Sequence, residues 1–550
     1  VIFLKINRNL ETRKPLLQFF TEKKGSMEIK DTFTAEIPGE LEFLKSLYDL
    51  KSKAKTSVIE AIFMPGEMSD NSVTIARNET PVVIVHGTME TEESFTNYKE
   101  AALATGHPAE LTTYMTVKDG KELQKSGQAL TKNINNARRL IAEKHIEELK
   151  KIKKDQKAIK EYFHIGEDLY GKRDEKAKEI FHFIPGVIEK VDKLLKIDSK
   201  ELEETFSGRT KEIEKELVKE LKKAGFAGDR TNPDLICEKT AAEIMDTIAP
   251  RAVLVGHSMG GFVAYTQALN PKEALRDRNE FTYDGGNGVS TVITLSSPVA
   301  KGVSKPLPVG LRDYAYNLIE KNILDPVETF PGMQFSMINP FFNAWYSYNK
   351  GLLKDMYGYG MDMNASMMNP IIYAMKPGYE QISEGSDFIK KYVHSKEVPP
   401  GITAVAFYNP DDGISEPENS VLDESLPNAH NVEVTVPITE EDLKNPKHTK
   451  ATEAHKKMSL YPYEHGETFK EKILRDPKYI VRILEPENYD GVRWQCMNTL
   501  MERLEKEPDL FEKPEFKPVL RKIKDLAEER LPFTDSPSYI AHKLIEKLGK

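Results

Sequence analysis

Ala252-Val253-Leu254-Val255-Gly256-His257-Ser258-Met259-Gly260-Gly261-Phe262 is the stretch on which the reading of the fold turns. Four apolar residues, 252–255, end abruptly in a glycine, as a buried strand does when it meets a loop. A helical pattern over 262–269 follows almost at once. The chain must therefore reverse within a few residues. Side chains at 256 and 260 would clash with the neighbouring strand and helix, which explains glycine at both positions. Ser258 is thereby held above the end of a strand, at the positive N-terminus of a helix. Strand, sharp turn and helix around G-x-S-x-G is the context that presents a serine hydroxyl for attack.

Other short apolar runs place this turn in a sheet. Pro81-Val82-Val83-Ile84-Val85 leads into His86-Gly87 and reads as a buried central strand ending in a loop. Strands are also expected at 110–117, 289–295, 401–408 and 432–436, and a helix at 241–248. Strands alternating with helical segments predict an α/β fold: a mainly parallel central sheet with helices on both faces.

The chain has 550 residues, long enough for a large core and for several insertions. We divide it into an N-terminal helical or mixed extension at 1–56 and an α/β core at 57–120, 232–300 and 380–486. The remainder is a charged helical insertion at 121–231, a Met-rich and aromatic-rich cap or lid at 301–379, and a helical C-terminal tail at 487–550. In the insertion Ile213, Leu217 and Leu221 recur every four residues, and Ile146, Leu149 and Ile152 every three, as on amphipathic helices. Its Lys and Glu read first as a solvated face, with a protein-binding arm as the sharper alternative. Eight of the 18 methionines, from Met333 to Met375, lie in the proposed cap among Phe341, Phe342 and Trp345. Such an adaptable apolar surface suits a packed cap, a wall for an acyl chain, or contact with a membrane surface.

Composition excludes several classes. With 78 basic and 87 acidic side chains the formal charge is −9, unlike that of a generally basic nucleic-acid binder, so no nucleic-acid partner is expected. Cys237 and Cys496 are too few for a disulfide framework. No Cys/His cluster has zinc spacing, and there is no phosphate-binding glycine loop; neither metal nor cofactor is expected. No uncharged apolar run reaches 18 residues, so no transmembrane helix is expected; a cytoplasmic location is slightly favoured over secretion.

The stretch 253–261 resembles the nucleophile region of α/β-hydrolase lipases and esterases of the bacterial type. Val83-Ile84-Val85-His86-Gly87 is similar to that family's oxyanion strand and loop. Val292-Ile293-Thr294-Leu295-Ser296-Ser297-Pro298 resembles the next strand, and Gly385-Ser386-Asp387-Phe388 the segment before the acid strand. The resemblance covers roughly 60–118, 235–300 and 380–485. It implies a Ser-His-Asp triad in the chain order Ser, acid, His, acting on small-molecule ester or lipid substrates. Ser258 is the implied nucleophile. Asp412, just before Gly413-Ile414, is the implied acid, with Asp411 as the alternative. For the base, His465 fits best by its loop-then-helix context, although it requires an insertion at 437–462; His448 and His455 stay open. The oxyanion donors implied are the N–H groups of Met259 and Thr88, with Met89 as alternative to the latter. His86 and His257 read as packed, structural side chains. A thioesterase or acyltransferase would use the same residues, and a non-catalytic scaffold binding a partner through 121–231 is the rival of another class.

Overall fold

The structure, a computed structural model, describes residues 2–8, 15–23, 26–34, 80–87, 109–112, 122–166, 180–228, 232–270, 284–303, 381–394, 397–435, 438–440, 442–444, 450–458 and 476–549. The chain divides into two units, Val1–Ala54 and Lys55–Lys550. In the first, strands β1 (Ile2–Arg8), β2 (Pro15–Lys23) and β3 (Ser26–Thr34) form an antiparallel sheet in that order. Helix was one expectation here; the described residues are strand instead, in keeping with the Phe, Ile and Thr content of these segments.

The second unit is α/β. Its strands are β4 (Val82–Val85), β5 (Ala109–Thr112), β6 (Ala252–His257), β7 (Val289–Leu295), β8 (Thr403–Tyr408) and β9 (Ala429–Glu433). They lie in the order β5-β4-β6-β7-β8-β9, and every neighbouring pair is parallel. The expected strand at 432–436 starts earlier, at Ala429, because His430 and Asn431 each find a side-chain hydrogen-bond partner inside the protein. His430 Nε2 donates to Asn488 Oδ1 at 2.9 Å, and Asn431 Nδ2 to the Leu422 carbonyl at 2.9 Å. A polar strand start of this kind leaves no apolar pattern to read.

Between β5 and β6 run helices α1 (Glu122–Ile152), α2 (Gln156–Tyr162), α3 (Ile184–Leu194), α4 (Ser199–Ala224) and α5 (Pro233–Ile248). Helix α6 (Met259–Leu269) follows β6 and α7 (Asp387–Tyr392) precedes β8. After β9 come α8 (Lys450–Met458), α9 (Pro477–Ile483), α10 (Asp490–Lys506), α11 (Lys517–Ala527) and α12 (Pro537–Lys547).

Alternate strand residues divide the core into two layers. Val83, Val85, Ala252, Leu254, Val292, Ala404 and Ala406 pack under α1, α6 and α7. Val82, Ile84, Val253, Val255, Ile293, Leu295, Val405 and Phe407 pack under α8 to α12. The segments read from sequence as peripheral are thus part of the fold. Leu123, Leu130 and Ile134 of α1 share a core with Phe262 and Val263 of α6, and Gln267 Nε2 donates to Thr131 Oγ1 at 3.1 Å. Residues 487–550 supply much of the second layer, through Val492, Met497, Leu500, Val519, Ile523 and Leu544. Their apolar stripes are narrow and flanked by Lys and Glu, which makes covering helices look like surface appendages.

The rest of the insertion builds a third core in which Ile146, Leu149, Leu217 and Leu221 are buried, together with Leu531 and Phe533 from the loop before α12. The proposed cap at 301–379 falls, apart from 301–303, outside the described residues. Cys237 and Cys496 are buried and do not form a disulfide with each other. Among the described residues, no helix is long and apolar enough to cross a membrane, and no group of His, Cys, Asp and Glu is arranged to hold a metal ion.

Candidate active site

The site lies at the carboxyl edge of β6, β7 and β8, where ligands collect in open parallel sheets. Strand β6 runs to His257, and Ser258 stands alone between it and α6 with φ 51° and ψ −126°. A non-glycine residue at positive φ outside a left-handed turn is strained, and persists only when its surroundings hold it. The surroundings do so here. Ser258 N–H donates to the Leu295 carbonyl at 2.9 Å, and the Ser258 carbonyl accepts from Phe262 N–H at 3.2 Å. Ser297 Oγ donates to the Leu295 carbonyl at 3.1 Å.

The glycines have the reasons expected of them. A methyl group on Gly256 would run into the backbone of Gly260 and Gly261. One on Gly260 would meet the carbonyls of Val85 and His86. The second contact brings the turn at Ser258 against the end of β4. His86 is buried there, with its Nδ1–H donating to the Gly87 carbonyl at 2.8 Å. The Met259 N–H is the first of helix α6, one of the N–H groups that an α-helix leaves without an internal acceptor.

Asp412 follows β8 by four residues and is buried. Its Oδ1 accepts from the N–H groups of Ile414 at 2.8 Å and Ser415 at 2.9 Å. Its Oδ2 accepts from His455 Nδ1–H at 2.8 Å. With one carboxylate oxygen held by backbone and the other by imidazole, Asp412 fixes the His455 tautomer. A neutral ring protonated at Nδ1 leaves Nε2 as its proton acceptor.

The histidine seen to meet the acid is therefore His455, one of the two alternatives to His465 left open by the sequence. His465 and His448 lie outside the described residues, as do Thr88 and Met89. His455 sits within a helix, α8, that docks on the acid loop through Lys450 and Ala451. Lys450 Nζ pairs with Asp411 at 2.8 Å, so that aspartate serves the docking and not the imidazole. Gly413 approaches so closely that an added Cβ would lie 2.6 Å from Ala451 Cβ. Lys457 Nζ pairs with Asp442 at 2.7 Å. That lysine, with the Thr439 hydroxyl and N–H, holds the Asp442 carboxyl well below the usual carboxylate range.

His257 is buried, as expected of a packed side chain, but its Nε2–H donates to the His455 carbonyl at 3.1 Å. The two rings are 4.7 Å apart at a 44° tilt. Its place beside Ser258 was the one signal in the sequence. Taken together, the carboxyl edge assembles a strained serine at a helix N-terminus and a buried Asp–His pair tied back to the serine's neighbour.

Comparison of the chain with protein-family models gives no match, and comparison with curated proteins gives none either.

Proposed function

We propose that the chain is a serine hydrolase of the α/β-hydrolase fold that cleaves carboxylic esters through an acyl-enzyme. The observation that carries this reading is the strained Ser258 together with the buried Asp412–His455 pair tied to its neighbour. A serine hydroxyl needs a base to become a nucleophile, and the base needs a partner that sets its tautomer. In this reading Ser258 Oγ attacks the ester carbonyl and its proton passes to His455 Nε2. Asp412 stays ionised and stabilises the imidazolium. The Met259 N–H and a second N–H from the loop after Gly87, at Thr88 in the sequence reading, stabilise the oxyanion. His455 then protonates the departing alcohol, and a water molecule activated by the same ring releases the acid.

Acyl or lipid esters are the favoured substrate class. Support for that preference comes from the sequence alone, in the family resemblance of 253–261 and the Met and aromatic content of 301–379. The reading is tested by hydrolysis of a p-nitrophenyl ester. Ser258→Ala should abolish turnover while leaving the melting temperature close to that of the parent. Turnover retained in that variant would overturn it.

A further inference from the structure

The hydrogen bond between His257 and the base has no counterpart among the groups that perform the chemistry above. His455 lies in α8, Lys450–Met458. The last four carbonyls of an α-helix have no acceptor role inside it, and that of His455 is the first of these four. It accepts from His257 Nε2 at 3.1 Å, in a place where both residues are buried. Because a carbonyl only accepts, His257 carries its proton on Nε2. His257 is also joined covalently to Ser258. Base and nucleophile are thus linked by one hydrogen bond and one peptide unit, while Asp412 holds the far side of the imidazole at 2.8 Å.

We propose that His257 is the positioning residue that sets the His455 ring against Ser258, by anchoring the helix carrying it to the serine turn. The proposal rests on the hydrolase reading for its kinetic consequence, but not for its structural one. Asp412 fixes which nitrogen of His455 carries the proton, and Lys450 and Ala451 hold the start of α8 on the acid loop. The bond from His257 ties the helix, at His455 itself, to the serine turn. Proton transfer from a hydroxyl is steep in distance, and a misplacement of about 1 Å costs on the order of a hundredfold in rate. A glutamine at 257 carries its amide N–H at a reach similar to that of Nε2 and can keep the bond; a phenylalanine fills the space and cannot.

Two variants and two readouts test this. His257→Phe should lower kcat on a p-nitrophenyl ester by up to about a hundredfold with little change in KM. His257→Gln should recover most of that loss. By NMR, the far-downfield Nδ1 proton of His455, bonded to Asp412, should be sharp in the parent and in His257→Gln, and broadened or lost in His257→Phe. Equal loss in both variants, or parental kcat and an unchanged resonance in His257→Phe, would overturn the proposal. Should His257→Phe fail to fold, the imidazole nitrogen shifts of the parent decide. They must show His257 protonated on Nε2, and protonation on Nδ1 alone overturns the proposal. If the parent turns over no ester, the hydrolase reading falls, and the resonances still decide the role of His257.

Discussion

His455 Nδ1 donates to Asp412 Oδ2 at 2.8 Å, while the adjacent Asp411 pairs with Lys450 at the start of the same helix. Two consecutive aspartates thus serve one helix in different ways, one buried against the imidazole and the other half-exposed at the helix N-terminus. Asp412→Asn should leave the fold intact and cut kcat by about 10⁴-fold, because an amide cannot enforce the Nδ1–H tautomer. Asp411→Asn removes only a surface ion pair, worth no more than about 1 kcal/mol, and should leave kcat near the parental value. Ester turnover by the two variants, measured side by side, checks the assignment.

The choice of base is open to an equally direct comparison. His455→Ala should reduce kcat by at least about 10⁴-fold, as loss of the general base does in a triad. His465→Ala should retain turnover. The reverse ranking would transfer the base to His465 and leave the His455–Asp412 pair a structural contact.

Gly260 bears on both stability and chemistry. An alanine methyl there meets two backbone carbonyls, those of Val85 and His86, and neither can swing aside as a side chain could. Gly260→Ala should cost about 1–3 kcal/mol in denaturant unfolding. It should also slow acylation, since the turn and the end of β4 must separate to admit the methyl.

Acid stability should depend on a buried cluster away from the site. Asp490 pairs with Lys239 and Arg493, and Arg493 also pairs with Glu529. Burial opposes ionisation of Asp490, but Lys239 and Arg493 outweigh it and bring its carboxyl down to about 2. The folded value lies below the unfolded one, about 3.9. The ionised carboxylate therefore contributes its stability in full above that unfolded value and loses it as the pH falls through about 2. Asp490→Asn should be less stable at neutral pH by about 3–5 kcal/mol, because it leaves buried cations underpaired. Its unfolding free energy should fall less steeply on acidification than that of the parent. Urea unfolding across that acid range measures both effects.

Much of this arrangement could be read from residues alone. The strand, turn and helix around Ser258 announce themselves because glycine and serine alternate where an apolar strand stops. Asp412, with Asp411 as its alternative, is implied by the family resemblance, which puts the acid in the loop after the apolar run 404–408. The base did not follow. His455 sits among Lys, Glu and Thr in α8, and the one local signal, a loop leading into an apolar helix, favours His465 instead. What selects it is a docking of α8 on the loop 411–413, through Lys450, Ala451 and His455 itself, which joins positions far apart in sequence. The covering helices escaped for a related reason. Polar side chains share the buried faces of α1 and α10, among them Ser126, Asn135 and Arg138 in the first and Arg493 and Thr499 in the second, and they interrupt the apolar pattern by which a covering helix is recognised.

A serine activated by His455 reacts with an electrophilic phosphorus ester as it would with a carboxylic ester. Incubation of the folded protein with a fluorophosphonate probe, followed by peptide mass spectrometry, reads that reactivity at Ser258. A single adduct is expected there, formed in the parent and lost or greatly slowed in His455→Ala. A folded parent left unlabelled at Ser258, or labelled there as fast in His455→Ala as in the parent, would contradict that activation.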